Sequence, residues 1–116
     1  MIYRMIETKD NPAVANLVRS NLKAYGLDLP GTVYYDDNLN HLSDFYLGDK
    51  KKRTYFVVED DGVVIGGIGL AEFEYFEDCA ELQKLYLNDK AKGKGLGYTL
   101  IRLIEDKARE VRDVRE

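Results

Sequence analysis

Three features of this 116-residue chain predict an α/β (α+β) fold, a mixed, mainly antiparallel sheet flanked by helices in the order β-α-α-β-β-β-α. The first is an Asp-Gly turn, Asp61-Gly62, between two β-rich runs at Thr54–Glu59 and Val63–Phe73, which is a strong hairpin signal. The second is helical spacing of apolar residues at both ends of the chain: Val14, Leu17, Val18 and Leu22, then Leu96, Leu100, Leu103, Ile104, Ala108 and Val111. The third is a strand, Cys79–Leu87, that runs through a lysine-rich turn into a helix opening on Gly93, Gly95 and Gly97.

The elements follow in order. Ile2–Glu7 alternates weakly and predicts a first strand. Asp10 and Asn11 offer an N-cap, Pro12 suits a first helical turn, and Gly26 ends the helix after about Tyr25. Pro30-Gly31 marks a turn. Leu39, Leu42, Phe45 and Tyr46 fit a short second helix, with Asp36 or Asp37 as its cap and Gly48 as its end. Asp49–Arg53 reads as a solvated loop before the hairpin, and Gly66 and Gly67 predict a bulge or close packing within its second strand. Residues 74–78 connect to the strand at Cys79. No repeat, low-complexity segment or linker divides the sequence, so residues 1–116 are expected to form one domain.

Composition narrows the function classes. A net charge of −4 and a pI near 5.1 argue against nucleic acid as the main partner. No apolar run approaches the length that crosses a bilayer, and the first residues lack a signal-peptide layout, so no membrane association is expected and the location is expected to be cytoplasmic. One cysteine, Cys79, excludes an internal disulfide and a cysteine-cluster metal site. One histidine, His41, argues against a histidine metal site and a Ser-His-Asp triad, and no metal is expected.

The turn between the last strand and last helix carries Lys90, Lys92 and Lys94 in a chain that is acidic overall. Free N–H groups at a helix N-terminus attract anions, and glycines let a phosphate approach the main chain. The segment therefore reads as a phosphate-binding elbow. It is not a P-loop, because no GxxxxGK followed by Ser or Thr occurs. It is not a dinucleotide fingerprint either, because counting from Gly93 the third glycine would fall on Tyr98. What remains is Lys92-x-x-Gly95-x-Gly97 directly after a strand.

That stretch, AELQKLYLNDKAKGKGLGYTL, resembles the acetyl-CoA-binding motif of the GNAT superfamily of N-acetyltransferases. The superfamily signature is Gln or Arg, two residues, Gly, one residue, then Gly or Ala, where the fourth strand meets the third helix. Gly95 and Gly97 match it, while Lys92 departs from the Gln/Arg position. The upstream order of elements matches as well, so the resemblance spans the chain. It implies that main-chain N–H groups of Lys92, Gly93, Lys94, Gly95, Leu96, Gly97 and Tyr98 hold the pyrophosphate of acetyl-CoA. It also implies that the main chain of Leu85, Tyr86 and Leu87 pairs with the pantetheine arm as an added strand would. Leu82 and Leu85 are three apart in a strand whose faces repeat every two, so burying both requires a bulge between them.

Transfer of acetyl to an amine needs a neutral nitrogen, and the resemblance implies Glu81 as the candidate general base, since it lies four residues before Leu85, where several family members place a catalytic glutamate. The alternative for Glu81 is a solvated or salt-bridged strand residue, with Lys84 as partner. Tyr34, Tyr35, Asp36 and Asp37 lie where such proteins recognise the acceptor, a small-molecule or peptide amine; packing of the tyrosines and capping by an aspartate is the favoured reading of them. Glu72, Glu74, Glu77 and Asp78 flank the motif strand. The resemblance covers the first strand through the third helix, and a full member continues with further strands and a helix. A C-terminally incomplete fold is therefore expected, and with it a homo-oligomer. The rival expectation is a non-catalytic CoA- or anion-binding module.

Overall fold

The computed structural model describes residues 1–49, 52–72, 80–89 and 91–115. Its helices and strands are β1 (Ile2–Met5), α1 (Asn11–Ala24), α2 (Leu42–Leu47), β2 (Thr54–Asp60), β3 (Val63–Glu72), β4 (Ala80–Leu87) and α3 (Leu96–Arg115). The four strands form one antiparallel sheet in the order β1-β2-β3-β4. One face carries a core of α1 and α2 residues, including Val14, Val18, Leu42 and Tyr46, over Tyr55 and Val57. The other carries Leu96, Leu100 and Ile104 of α3 over Val58, Ile65, Ile68 and Leu70. β3 is buried from Ile65 to Ala71 because helices cover it on both sides.

Most boundaries follow the local signals. Gly26 takes φ +71° and ends α1, with Leu27 N–H reaching back to the Leu22 carbonyl at 2.7 Å. Asp36 caps the turn before α2, its Oδ1 accepting the Asn38 N–H at 2.9 Å. The second helix nevertheless differs from its expected form: residues Asp37–His41 are a 3₁₀ turn, and only Leu42–Leu47 are α-helical. The hairpin turns at Asp61 (φ +51°) and Gly62 (φ +80°), and a register shift at Val58/Glu59 lies opposite the segment with Gly66. Cys79, the 74–78 connection and Lys90 lie outside the described residues.

Two charged residues take roles that their sequence positions do not suggest. Asp10 precedes α1 but makes no side-chain cap. Its carboxylate instead accepts from Arg4 at 2.7 and 2.9 Å and from Glu7 N–H at 2.8 Å, and Arg4 also donates to Glu59 at 2.9 Å. This network joins β1, β2 and the start of α1. Arg53 does not lie free in a solvated loop. It donates to both Glu72 carboxylate oxygens at 2.9 and 3.0 Å, and its guanidinium sits 4.2 Å from the Phe45 ring centroid. Hydrogen bonding from Arg53 holds the Glu72 carboxyl down at about 2.

Gly67 and Gly69 explain how two large aromatics fit beneath β3. A Cβ on Gly67 would come within 2.5 Å of the Tyr55 ring, and one on Gly69 within 2.6 Å of the Tyr46 hydroxyl. The rings lie 5.0 Å apart, tilted at 49°, and both residues are fully buried.

Gly67→Ala should therefore destabilise the fold by about 1–3 kcal/mol, read as a lower urea midpoint at unchanged m-value. Burial alone would raise the Asp10 carboxyl, but the Arg4 and Glu7 hydrogen bonds hold it below its usual range. Its folded-state pKa is thus depressed, so its stabilisation is complete above the unfolded carboxylate pKa and disappears as pH falls through the folded value. Asp10→Asn should cost about 2 kcal/mol at pH 7, and the gap to the native chain should close in urea titrations as pH falls below the ordinary carboxylate range.

Candidate acyl-donor site

The site is built along β4 and the turn that follows it. β4 is the edge strand of the sheet, so one side of its backbone has no partner strand among the described residues. At its far end the chain turns on Asn88, whose carbonyl accepts Lys92 N–H at 3.2 Å while its Oδ1 accepts Ala91 N–H at 3.0 Å. Gly93 (φ +82°) and Gly95 (φ +74°) follow in the left-handed region, and α3 begins at Leu96.

The N–H groups of Leu96, Gly97 and Tyr98 bond to no described residue; the first helical N–H bonding back is that of Thr99, to the Gly95 carbonyl at 3.2 Å. Ala91, Leu96 and Leu100 anchor the turn in the α3-side core, which aims the start of the helix at solvent. Lys92 is half-exposed and pairs with Asp89 at 3.3 Å, while Lys94 is exposed. Tyr98 is exposed, and Arg102, one turn along, donates to its hydroxyl at 3.0 Å. The three glycines differ in cause. Backbone angle demands glycine at 93 and 95, whereas a Cβ on Gly97 would meet only Leu87 at an ordinary 3.5 Å. Nothing in the fold itself needs glycine at 97, so the space above it suits a group arriving from outside.

Upstream, β4 contains the expected bulge. Gly69 pairs with Gln83 and Gly67 with Tyr86, so Lys84 and Leu85 together oppose Ile68. Lys84 takes φ +50°, the left-handed form of a bulge residue. The reason differs from the one expected: Leu82 and Leu85 are not both buried but are 50% and 41% exposed. The bulge is instead gripped from beneath, where Tyr55 donates its hydroxyl to the Lys84 carbonyl at 2.9 Å. Tyr46 donates to Gln83 Oε1 at 2.9 Å, and Gln83 Nε2 reaches Glu81 Oε2 at 3.5 Å. Burial keeps both phenols protonated, pushing them well above the ordinary tyrosine range. Asn21 of α1 donates to the Leu87 carbonyl at 3.1 Å and fixes the end of β4 to the first helix.

The structure thus aligns Glu81, the bulge at Lys84–Leu85 and the elbow from Lys92 to Tyr98 along one strand and its turn. Glu81 is exposed, and its recorded contact is Gln83 rather than Lys84. The acceptor-side candidates divide. Asp36 is a helix cap, Tyr34 and Tyr35 stack edge to face at 4.9 Å, and Glu72 is engaged by Arg53. Tyr35 and Asp37 are exposed, and Glu74, Glu77 and Asp78 lie outside the described residues. Sequence reasoning missed Tyr46, Tyr55, Gln83 and Asn21. The glycine spacing of β3 was the available signal for the two tyrosines. Among the described residues no cluster of His, Cys, Asp and Glu could hold a metal ion, and no helix is long and apolar enough to cross a membrane.

Comparison with known proteins identifies the class that this fold and elbow define. The profile of the Acetyltransferase (GNAT) family matches residues 16–116, and the chain belongs to that family. It is 37% identical over 112 residues to the uncharacterised N-acetyltransferase YjgM of Escherichia coli, covering 95% of this chain and 66% of that protein. The chain thus spans just under two thirds of that curated relative. Among solved structures, ribosomal-protein-alanine N-acetyltransferase from Brucella melitensis superimposes with a TM-score of 0.78 at 24% identity, over 97% of this chain and 69% of that one. N-acetylglutamate synthase from Neisseria gonorrhoeae, solved with coenzyme A and N-acetyl-glutamate, matches with a TM-score of 0.66 at 29% identity, over 95% of this chain and 23% of that one.

The contrast between the glycines gives a direct test. Gly95→Ala should cost about 1–2 kcal/mol through its backbone angle. Gly97→Ala should leave stability within about 0.5 kcal/mol. Thermal or urea unfolding of the two variants measures both.

Proposed function

We propose that this chain is an acetyl-CoA-dependent N-acetyltransferase acting on a primary amine of a small molecule or peptide. The observation that carries the reading is the continuous track from an open strand edge, through a bulge, to a helix N-terminus with free N–H groups. Main-chain N–H groups from Lys92 to Tyr98, with Lys92 and Lys94 beside them, would hold the pyrophosphate. The backbone of Leu85, Tyr86 and Leu87 would pair with the pantetheine arm. The thioester would then lie beside the bulge while the phosphates lie at the elbow.

The chemistry is a balanced acyl transfer. Glu81 takes a proton from the incoming ammonium, directly or through one water. The neutral nitrogen attacks the thioester carbonyl carbon, the carbon–sulfur bond breaks, and the proton that the nitrogen sheds on becoming an amide passes through solvent to the departing CoA thiolate. The acidic balance of the chain suits a cationic acceptor. This use of acetyl-CoA goes with a cytoplasmic location. The exposed apolar side chain of Leu82 on β4 supports self-association with a second copy.

A thermal-shift panel of CoA, acetyl-CoA, ATP and NAD, followed by acetyl-CoA turnover against a set of amines, tests the proposal. Stabilisation by CoA and acetyl-CoA alone is expected, with Gly97→Ala weakening CoA about tenfold, or ~1.4 kcal/mol. Glu81→Gln should lower kcat about 100-fold or more while leaving CoA affinity unchanged. Binding without turnover, indifferent to Glu81→Gln, would establish a non-catalytic CoA module instead.

A further inference from the structure

We infer that Tyr55 is a positioning residue for the acyl donor, its hydroxyl holding the β4 bulge in the conformation that offers Leu85 to the thioester end of the ligand. The inference rests on the reading of β4 as the strand that faces acetyl-CoA.

The geometry is particular to this pair of strands. Lys84 is one of two non-glycine residues with positive φ among those described, and the other, Asp61, lies in a hairpin turn. A lysine in the left-handed region carries a steric penalty that glycine does not, so something must hold it there. Its carbonyl points to the inner face of the sheet, where the Tyr55 hydroxyl donates to it at 2.9 Å. Without that donor the carbonyl would lack its bond, and the strand would gain by returning to a regular ladder with one residue slipped. Such a slip would move Leu85 and every residue before it to the opposite face, Glu81 included.

Tyr55 can hold the bulge because its own place is rigid. It is fully buried on β2, wedged against Tyr46 and seated where a Cβ at Gly67 or Gly69 would be. It touches no exposed surface and lies beneath the strand rather than in the track, so it acts through Lys84. The elbow is fixed separately by Asn88, Asn21 and the α3 core. Removing the phenol should therefore disturb the thioester end and spare the phosphate end.

Amide NMR of the isotope-labelled chain, titrated in parallel with CoA and with acetyl-CoA, tests this. In the native protein Gly95 and Gly97 amides should shift with both ligands, and Leu85 should show a further shift with acetyl-CoA only. Tyr55→Phe should keep the Gly95 and Gly97 shifts and lose the acetyl-specific shift at Leu85. Adding Lys84→Gly to that variant should restore it, because glycine adopts the bulge angle unaided. Persistence of the acetyl-specific shift in Tyr55→Phe would overturn the inference, as would its absence from native protein whose Gly95 and Gly97 still respond. So would loss of folding in Tyr55→Phe, which would make the phenol a general stabiliser. Native Gly95 and Gly97 amides that ignore both ligands would overturn the acetyl-CoA reading itself, and this inference with it.

Discussion

The packing of two tyrosine rings against a glycine track is the constraint on which the middle of this protein depends. Tyr46 and Tyr55 occupy the volume that side chains at Gly69 and Gly67 would otherwise fill. A buried phenol needs an acceptor for its hydroxyl, since an unpaired one loses its bonds to water with nothing in return. Both hydroxyls find theirs on β4, one at the Gln83 side chain and one at the Lys84 carbonyl. The core on the α1 side and the irregularity of the edge strand are therefore parts of one arrangement. Hydrophobic burial places the rings, and hydrogen-bond demand then shapes the strand above them.

Charge is distributed so that the elbow stands apart. Elsewhere two arginines beside the sheet are engaged: Arg4 by Asp10 and Glu59, Arg53 by Glu72. These contacts tie the strands to the start of α1 and to the end of β3. At the elbow, backbone N–H groups at the start of a long helix add to the positive charge of Lys92 and Lys94. Lys92 and Lys94 are exposed there, and Lys92 pairs with Asp89. A cationic end and a carboxylate at Glu81 thus lie at opposite ends of the same strand.

Much of this was legible in the chain itself. The helix end at Gly26, the hairpin at Asp61-Gly62 and the glycine elbow are local decisions, made by backbone angles that few residues other than glycine adopt. They came out close to where the residues put them. The bulge was anticipated from the wrong premise. Burial of Leu82 and Leu85 was the expected cause, yet both are substantially exposed, and the cause lies across the sheet in Tyr55. Asp10 misled for a similar reason. Its position before a helix marks it as a cap, but its carboxylate turns away from α1 to Arg4, brought alongside by β1, and to the Glu7 N–H.

By itself the sequence determined what nearest neighbours decide: the alternation of strands and helices, the turns, and the six-residue spacing from Lys92 to Gly97 that marks the family. Tertiary structure alone decided which polar groups meet. Tyr55 and Lys84 are 29 residues apart, and Asn21 and Leu87 are 66 apart. No periodicity encodes such pairs. They arise because the sheet sets β2, β3 and β4 side by side and packs α1 over them. Close packing then sets these buried donors against the acceptors that β4 brings within reach.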